Sequence, residues 1–133
     1  MNLEKAQPAN NNLLAGDLRI EWQDGTDGAS AGPIRLLWQG RSNDRRPSRI
    51  LDPYFDTVLS AARARGVPVE LHFEEVEHFN SATITSIIQV IQDARNRGVR
   101  MVIFFDPSLK WQKLSFDALR VFSRKDGLLE IRP

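Results

Sequence analysis

Residues 69–105 read VELHFEEVEHFNSATITSIIQVIQDARNRGVRMVIFF, and this stretch decides the fold. Val69, Leu71 and Phe73 alternate with Glu70, His72 and Glu74, the period-two pattern of a strand with one buried and one polar face. Beyond Asn80-Ser81, Ile84, Ile87, Ile88 and Ile91 fall at i, i+3, i+4 and i+7, one face of a helix, and Gly98 follows Arg95-Asn96-Arg97 as its stop. Arg100 to Phe105 form a continuous apolar run of strand length, as expected of a strand deeper in a sheet. Strand, helix and strand in this order make a βαβ unit with parallel strands.

Upstream, Leu18, Ile20 and Trp22 alternate with Arg19 and Glu21 as a further strand. The segment DGTDGASAGP then has no apolar residue larger than alanine, and IRLLWQG resumes as a second strand. A hairpin with a long flexible loop is expected there. In ILDPYFDTVLSAARARG, Asp52 is the expected N-cap and Pro53 the first helical residue. Phe55, Val58, Leu59 and Ala62 make the apolar face, and Gly66 is the stop. Downstream, Asp106-Pro107 ends the apolar strand. A last helix is expected to bury Leu114, Ala118, Leu119, Val121 and Phe122 before a closing strand in LLEIR. The order β-β-α-β-α-β-α-β gives an α/β domain: a mixed sheet with parallel βαβ crossovers and helices mainly on one face. Residues 1–16 are expected to be a flexible tail, and residues 17–133 a single domain.

The chain has 133 residues, of which 41% are hydrophobic, the size and composition of one packed core. Lys+Arg 18 against Asp+Glu 17 leaves a formal charge of +1, so no global pull toward nucleic acid or an anionic membrane is expected. There is no cysteine, which excludes disulfides, thiolate chemistry and cysteine-ligated metals. No run approaches the ~20 apolar residues of a membrane span, and MNLEKAQPANNN lacks a signal-peptide core. A cytoplasmic protein is expected.

Known catalytic patterns are missing. The two histidines, His72 and His78, lie just upstream of Ser81, but no glycine-framed elbow surrounds that serine. HFEEVEH has metal-ligand composition without helical His-Glu-x-x-His spacing, DGTDG lacks the alternating acids of a calcium loop, and no phosphate-cradling glycine motif occurs. Trp22, Trp38 and Trp111 read as core or rim residues. No catalytic residue, metal site or cofactor is expected, and the chain is not read as an enzyme. The arginines of RSNDRRPSR, namely Arg41, Arg45, Arg46 and Arg49, fit either a solvated connection or an anion-facing loop.

Ser81 has two readings. Asn and Ser are preferred N-cap residues, so either could start the helix with no further role. Equally, the first N–H groups of a helix lack internal partners and favour an anion, so a phosphate on a serine there would be locally stabilised.

The stretch from Val69 to Phe122 resembles a STAS domain, the module of bacterial anti-sigma-factor antagonists. In that family a strand ends in an apolar residue and Asp-Ser, and a helix, a basic turn with Gly, an apolar strand, a helix and a short strand follow. Phe79, Asn80-Ser81, the Ile84 helix, Arg95-Asn96-Arg97-Gly98 and Arg100 to Phe105 take those places here. The likeness is good over residues 67–133 and extends to the N-terminal half only as an order of elements. It implies a non-catalytic partner switch: the antagonist binds an anti-sigma factor with a serine-kinase fold, phosphorylation by that partner ends binding, and a PP2C-type phosphatase restores it. Ser81 would be the phosphoacceptor, with Asn80, Ala82, Thr83 and Thr85 at the partner surface and no direct contact with nucleic acid or membrane. The chain departs from the family in Asn80, where many members have Asp, and in Ala82-Thr83, where a small Ser/Thr-Gly pair is usual. It shares Asn-Ser and Trp111-Gln112 with some STAS-like regulators. A phosphorylation-independent assembly or ligand-binding module is the alternative.

Overall fold

A computed structural model describes residues 11–27 and 30–133. Its sheet has six strands in sequence order, β1 (Leu13–Ala15), β2 (Leu18–Asp27), β3 (Ser30–Ser42), β4 (Val69–Phe79), β5 (Met101–Phe104) and β6 (Leu129–Arg132). β1, β2 and β3 pair antiparallel, and β3 to β6 run parallel. Three helices, α1 (Ser48–Arg65), α2 (Ser81–Asn96) and α3 (Lys110–Leu119, extended by a 3₁₀ turn over Arg120–Phe122), make the parallel crossovers. Their buried residues join Ile20, Leu36, Leu71 and Ile103 of the sheet in one core, so all three helices cover the same face.

The α/β class and the mixed sheet agree with the sequence, and four local details differ. Leu13–Ala15, expected in the tail, form a strand paired with β2, while residues 1–10 lie outside the described chain. Gly40, at φ 89, makes that corner possible: a Cβ there would sit 2.0 Å from the Asp17 carbonyl oxygen. The expected long loop is largely ladder, with Thr26 opposite Ala31 and Asp27 opposite Ser30, because backbone pairing needs no apolar side chains. Residues 28 and 29 lie outside the described chain.

α1 begins at Ser48 rather than at Pro53. Pro47 takes the N-cap position without a side-chain cap, and Pro53 sits inside the helix on its exposed side. Its missing N–H leaves only the exposed Arg49 carbonyl without a helical donor, in water where that loss is small. α3 is rotated from the expected face: Gln112, Phe116 and Leu119 point inward, whereas Leu114 is 67% and Val121 77% exposed. The buried set is spaced i, i+4, i+7 and includes a polar residue, which is why apolar counting passed over it.

Candidate functional site

β4 is bent on its way to Ser81. One β3 residue, Trp38, faces two on β4, Phe73 and Glu74, and a second register shift follows between Gly40 and Arg41. Each bulge inserts one residue, so the inward residues Phe73, Val76 and Phe79 come at intervals of three instead of two. This lets FEEVEHF continue as strand where strict alternation would end it. β5 stops pairing at Phe104, opposite His72, and so gives the bulged half of β4 no hydrogen bonds. Gln112 of α3 supplies them. Its Nε2 donates to the carbonyls of Phe73 (2.8 Å) and Val76 (3.0 Å), and its Oε1 accepts from the Asp106 backbone N–H at 2.8 Å. Gln112 is 0% exposed, and both its N–H groups and its carbonyl oxygen have partners.

The strand ends at Phe79, which packs edge-on against Trp111 and Trp38, and the helix cap follows. Asn80 is the N-cap of α2, its Oδ1 accepting from the Thr83 N–H at 2.9 Å and from the Thr83 hydroxyl at 2.7 Å. Its Nδ2 donates to the Asp44 carbonyl at 2.8 Å, in the β3–α1 connection. The Thr83 Oγ1 also lies 2.7 Å from the Ser42 Oγ, and a hydroxyl has one proton. The bonds therefore run as a chain, Ser42 hydroxyl to Thr83 hydroxyl to Asn80 amide oxygen, each polarising the next. The Asn80 N–H closes the ring on the Ser42 carbonyl at 3.0 Å. Ser42, Asp44, Asn80 and Thr83 thus lock the end of β3 to the start of α2.

Ser81 takes no part in this lock. It is the first residue of α2 and exposed, and among the described residues its hydroxyl makes no hydrogen bond. Of the two residues that could cap the helix, Asn80 does so, and Ser81 is the first helical residue. Of the other residues expected at a partner surface, Thr85 is exposed with its hydroxyl on the Ser81 carbonyl, and Ala82 is half-buried. Thr83 is 0% exposed and faces inward, so it supports the junction without reaching a partner. The β-branched side chain stands where its hydroxyl meets Ser42, and its methyl fills the same buried site.

The histidines are apart from Ser81 in role. His78 is exposed on β4 beside Arg41 in register, and no hydrogen bond joins it to Ser81 among the described residues. His72 lies on the far face of the sheet, 2.9 Å from Glu70 Oε1 and stacked on Phe104 with ring centroids 4.4 Å apart. Among the described residues no three His, Asp or Glu side chains group to hold a metal.

Next to the lock, a cleft of about 290 Å³ opens between the β1–β2 corner and the β3–α1 connection. Its floor is Leu18, Ile50 and Leu51, and its rim carries Arg41, Asn43 and Asp44. Of the four arginines considered for an anion site, only Arg41 lines it, and Arg41 already pairs with Glu77 at 3.4 Å. Arg45, Arg46 and Arg49 point to solvent outside the cleft.

A scan of the chain against protein-family models finds no match, and neither does a search of curated protein sequences.

Proposed function

We propose that this chain is a non-catalytic regulator of the partner-switching type, similar to the STAS antagonists of anti-sigma factors, with Ser81 as its phosphoacceptor. The observation that carries the proposal is the division of labour at the β4–α2 junction. Asn80 caps the helix through Thr83, so the neighbouring serine keeps an exposed hydroxyl, without a hydrogen bond among the described residues, at the positive end of a helix. Asn80, Ala82 and Thr85 flank that hydroxyl in sequence as a docking edge.

In this reading the ATP and the catalytic groups belong to a serine kinase of the anti-sigma type, and a PP2C-type phosphatase reverses the modification. A phosphate on Ser81 adds about two negative charges at the start of α2, and it changes the docking edge without touching the buried lock. Incubation with the cognate kinase and ATP, followed by phosphopeptide mapping, should place the phosphate on Ser81. Ser81→Asp should weaken partner binding measured by calorimetry. Phosphate found only elsewhere, with Ser81→Ala still switching, sinks the proposal.

The cleft beside the lock favours a second reading, a phosphorylation-independent module that senses a small ligand with an apolar body and an anionic end facing Arg41. Full function in Ser81→Ala together with a thermal shift on adding nucleotides would select it.

A further inference from the structure

Among the described residues no element covers the face of the sheet opposite the helices, although β3 to β6 are parallel. All-parallel sheets are almost always covered on both faces, whereas antiparallel ones commonly leave one face to water, and this sheet combines the two. Val102, on the side opposite the helices and outside the helix-covered core, is flanked in register by Glu70 and Glu130 and is already shielded to 4% exposure. Leu37 and Phe104 stand half-buried on the same side.

The order of residues across this face says what fits it. Strand register aligns Glu21 of β2, Leu37 of β3, His72 of β4, Phe104 of β5 and Arg132 of β6 in one row. The row reads acid, apolar, imidazole, aromatic, base. Turned over about an axis along β4, it matches itself. Glu21 then meets Arg132 of a second copy, Leu37 meets Phe104, and His72 meets His72, with every pair but the last made twice.

The next row is Gln23, Arg35, Glu70, Val102 and Glu130. The same rotation sets Gln23 against Glu130 and Arg35 against Val102. It brings Glu70 near its copy, but each Glu70 carries its own Arg35 at 3.1 Å, so the centre of the row holds two cations and two anions. Arg132 stacks over Phe104 at 5.7 Å and pairs with Glu130, which holds its guanidinium on this face.

We propose that the uncovered sheet face is the contact between two copies of this chain, packed face to face about a two-fold axis along β4. The proposal stands apart from the Ser81 reading, because Ser81 lies at the end of β4 and not in either row. Five strands about 4.8 Å apart span roughly 19 Å, and two rows of residues make a small contact, so the dimer is reversible.

Sedimentation equilibrium of the full chain at low salt should show a monomer–dimer equilibrium in the micromolar range. Glu21→Arg and Arg132→Glu should each weaken the dimer by about tenfold or more, since each places like charges across the axis twice, and the double reversal should restore it. Both positions are partly exposed surface sites, and an unchanged circular dichroism spectrum and melting temperature confirm that the variants fold. A monomer at every concentration overturns the proposal and leaves the face to a different partner. A dimer indifferent to both reversals, or one the double reversal does not restore, overturns it as well.

Discussion

Asn80 stands where an aspartate would serve the helix end better by charge alone. The reason for the amide is on its other side: Nδ2 donates to the Asp44 carbonyl, and a carboxylate has no proton to give. Asn80→Asp keeps both acceptor bonds to Thr83 and gains some favour from the helix dipole, but it opposes two acceptors at Asp44. It should lose about 1 kcal/mol in urea denaturation. Asn80→Ala removes cap and tether together and should lose about 2 kcal/mol. Thr83→Val, which keeps shape and deletes the hydroxyl, should cost about 1–3 kcal/mol by stranding the Ser42 hydroxyl in a buried site. The sequence showed that a helix starts at Asn80-Ser81, since both residue types favour that position. It did not show which of the two caps, or that Thr83 is buried, because that depends on Ser42, 41 residues away.

At the scale of elements, periodicity located all three helices and β2 to β6, and it erred where tertiary contacts override local pattern. α3 is the instructive case. Counting apolar residues selects Leu114 and Val121, whereas the fold buries Gln112 because β4 has bulged and needs donors. A polar residue in line with Phe116 and Leu119 was the available signal. Phe116 stacks on both Phe73 and Phe105. Phe116→Ala should therefore cost about 3–5 kcal/mol, while Leu114→Ala should stay within about 0.5 kcal/mol, both read from urea midpoints. Gln112→Leu fits the space but leaves two carbonyls and one N–H unpaired, and should cost about 3 kcal/mol or more. The bulges themselves were invisible in sequence, since FEEVEHF matches neither period two nor period 3.6. The β1 strand escaped notice for another reason, three residues being too few to show a period.

For the molecule as a whole, charge is nearly balanced, and the ion pairs are mostly at the surface. Five carboxylates are nonetheless held below their ordinary range; at Asp24 partial burial works the other way, but hydrogen bonds from the Trp22 indole and Arg65 outweigh it. The Ser108 hydroxyl and then its backbone N–H do this at Asp106, and Lys113 and then Arg120 do it at Asp117. The Leu128 backbone N–H and then Arg95 lower Asp126, and Arg132 lowers Glu130. In each case the unfolded chain takes up its proton at a higher pH than the folded one. Stability from these groups is therefore complete above the usual carboxylate range and is lost as pH falls through the depressed folded values. Urea midpoints should drop below about pH 4, and because the groups are exposed the drop should be modest and smaller in high salt. The class of the fold was legible at this scale, because βαβ spacing and one apolar face per helix leave few architectures open. The uncovered sheet face was not, since alternating residues on separate strands form a row only once the register is known.

Trp38 gives the junction an optical property. Its indole lies fully buried among Phe55, Phe73 and Phe79, and among the described residues its Nε1 proton has no acceptor. An excited indole in such a box has no dipoles free to reorient around it, so Trp38 should emit at the short-wavelength end of tryptophan fluorescence. Trp22 and Trp111, both partly exposed, should emit at longer wavelengths. Phe79 closes one wall of the box immediately before Asn80-Ser81. Light from Trp38 is therefore a built-in gauge of whether the β4–α2 junction is shut, readable without a label while Ser81 is modified or bound.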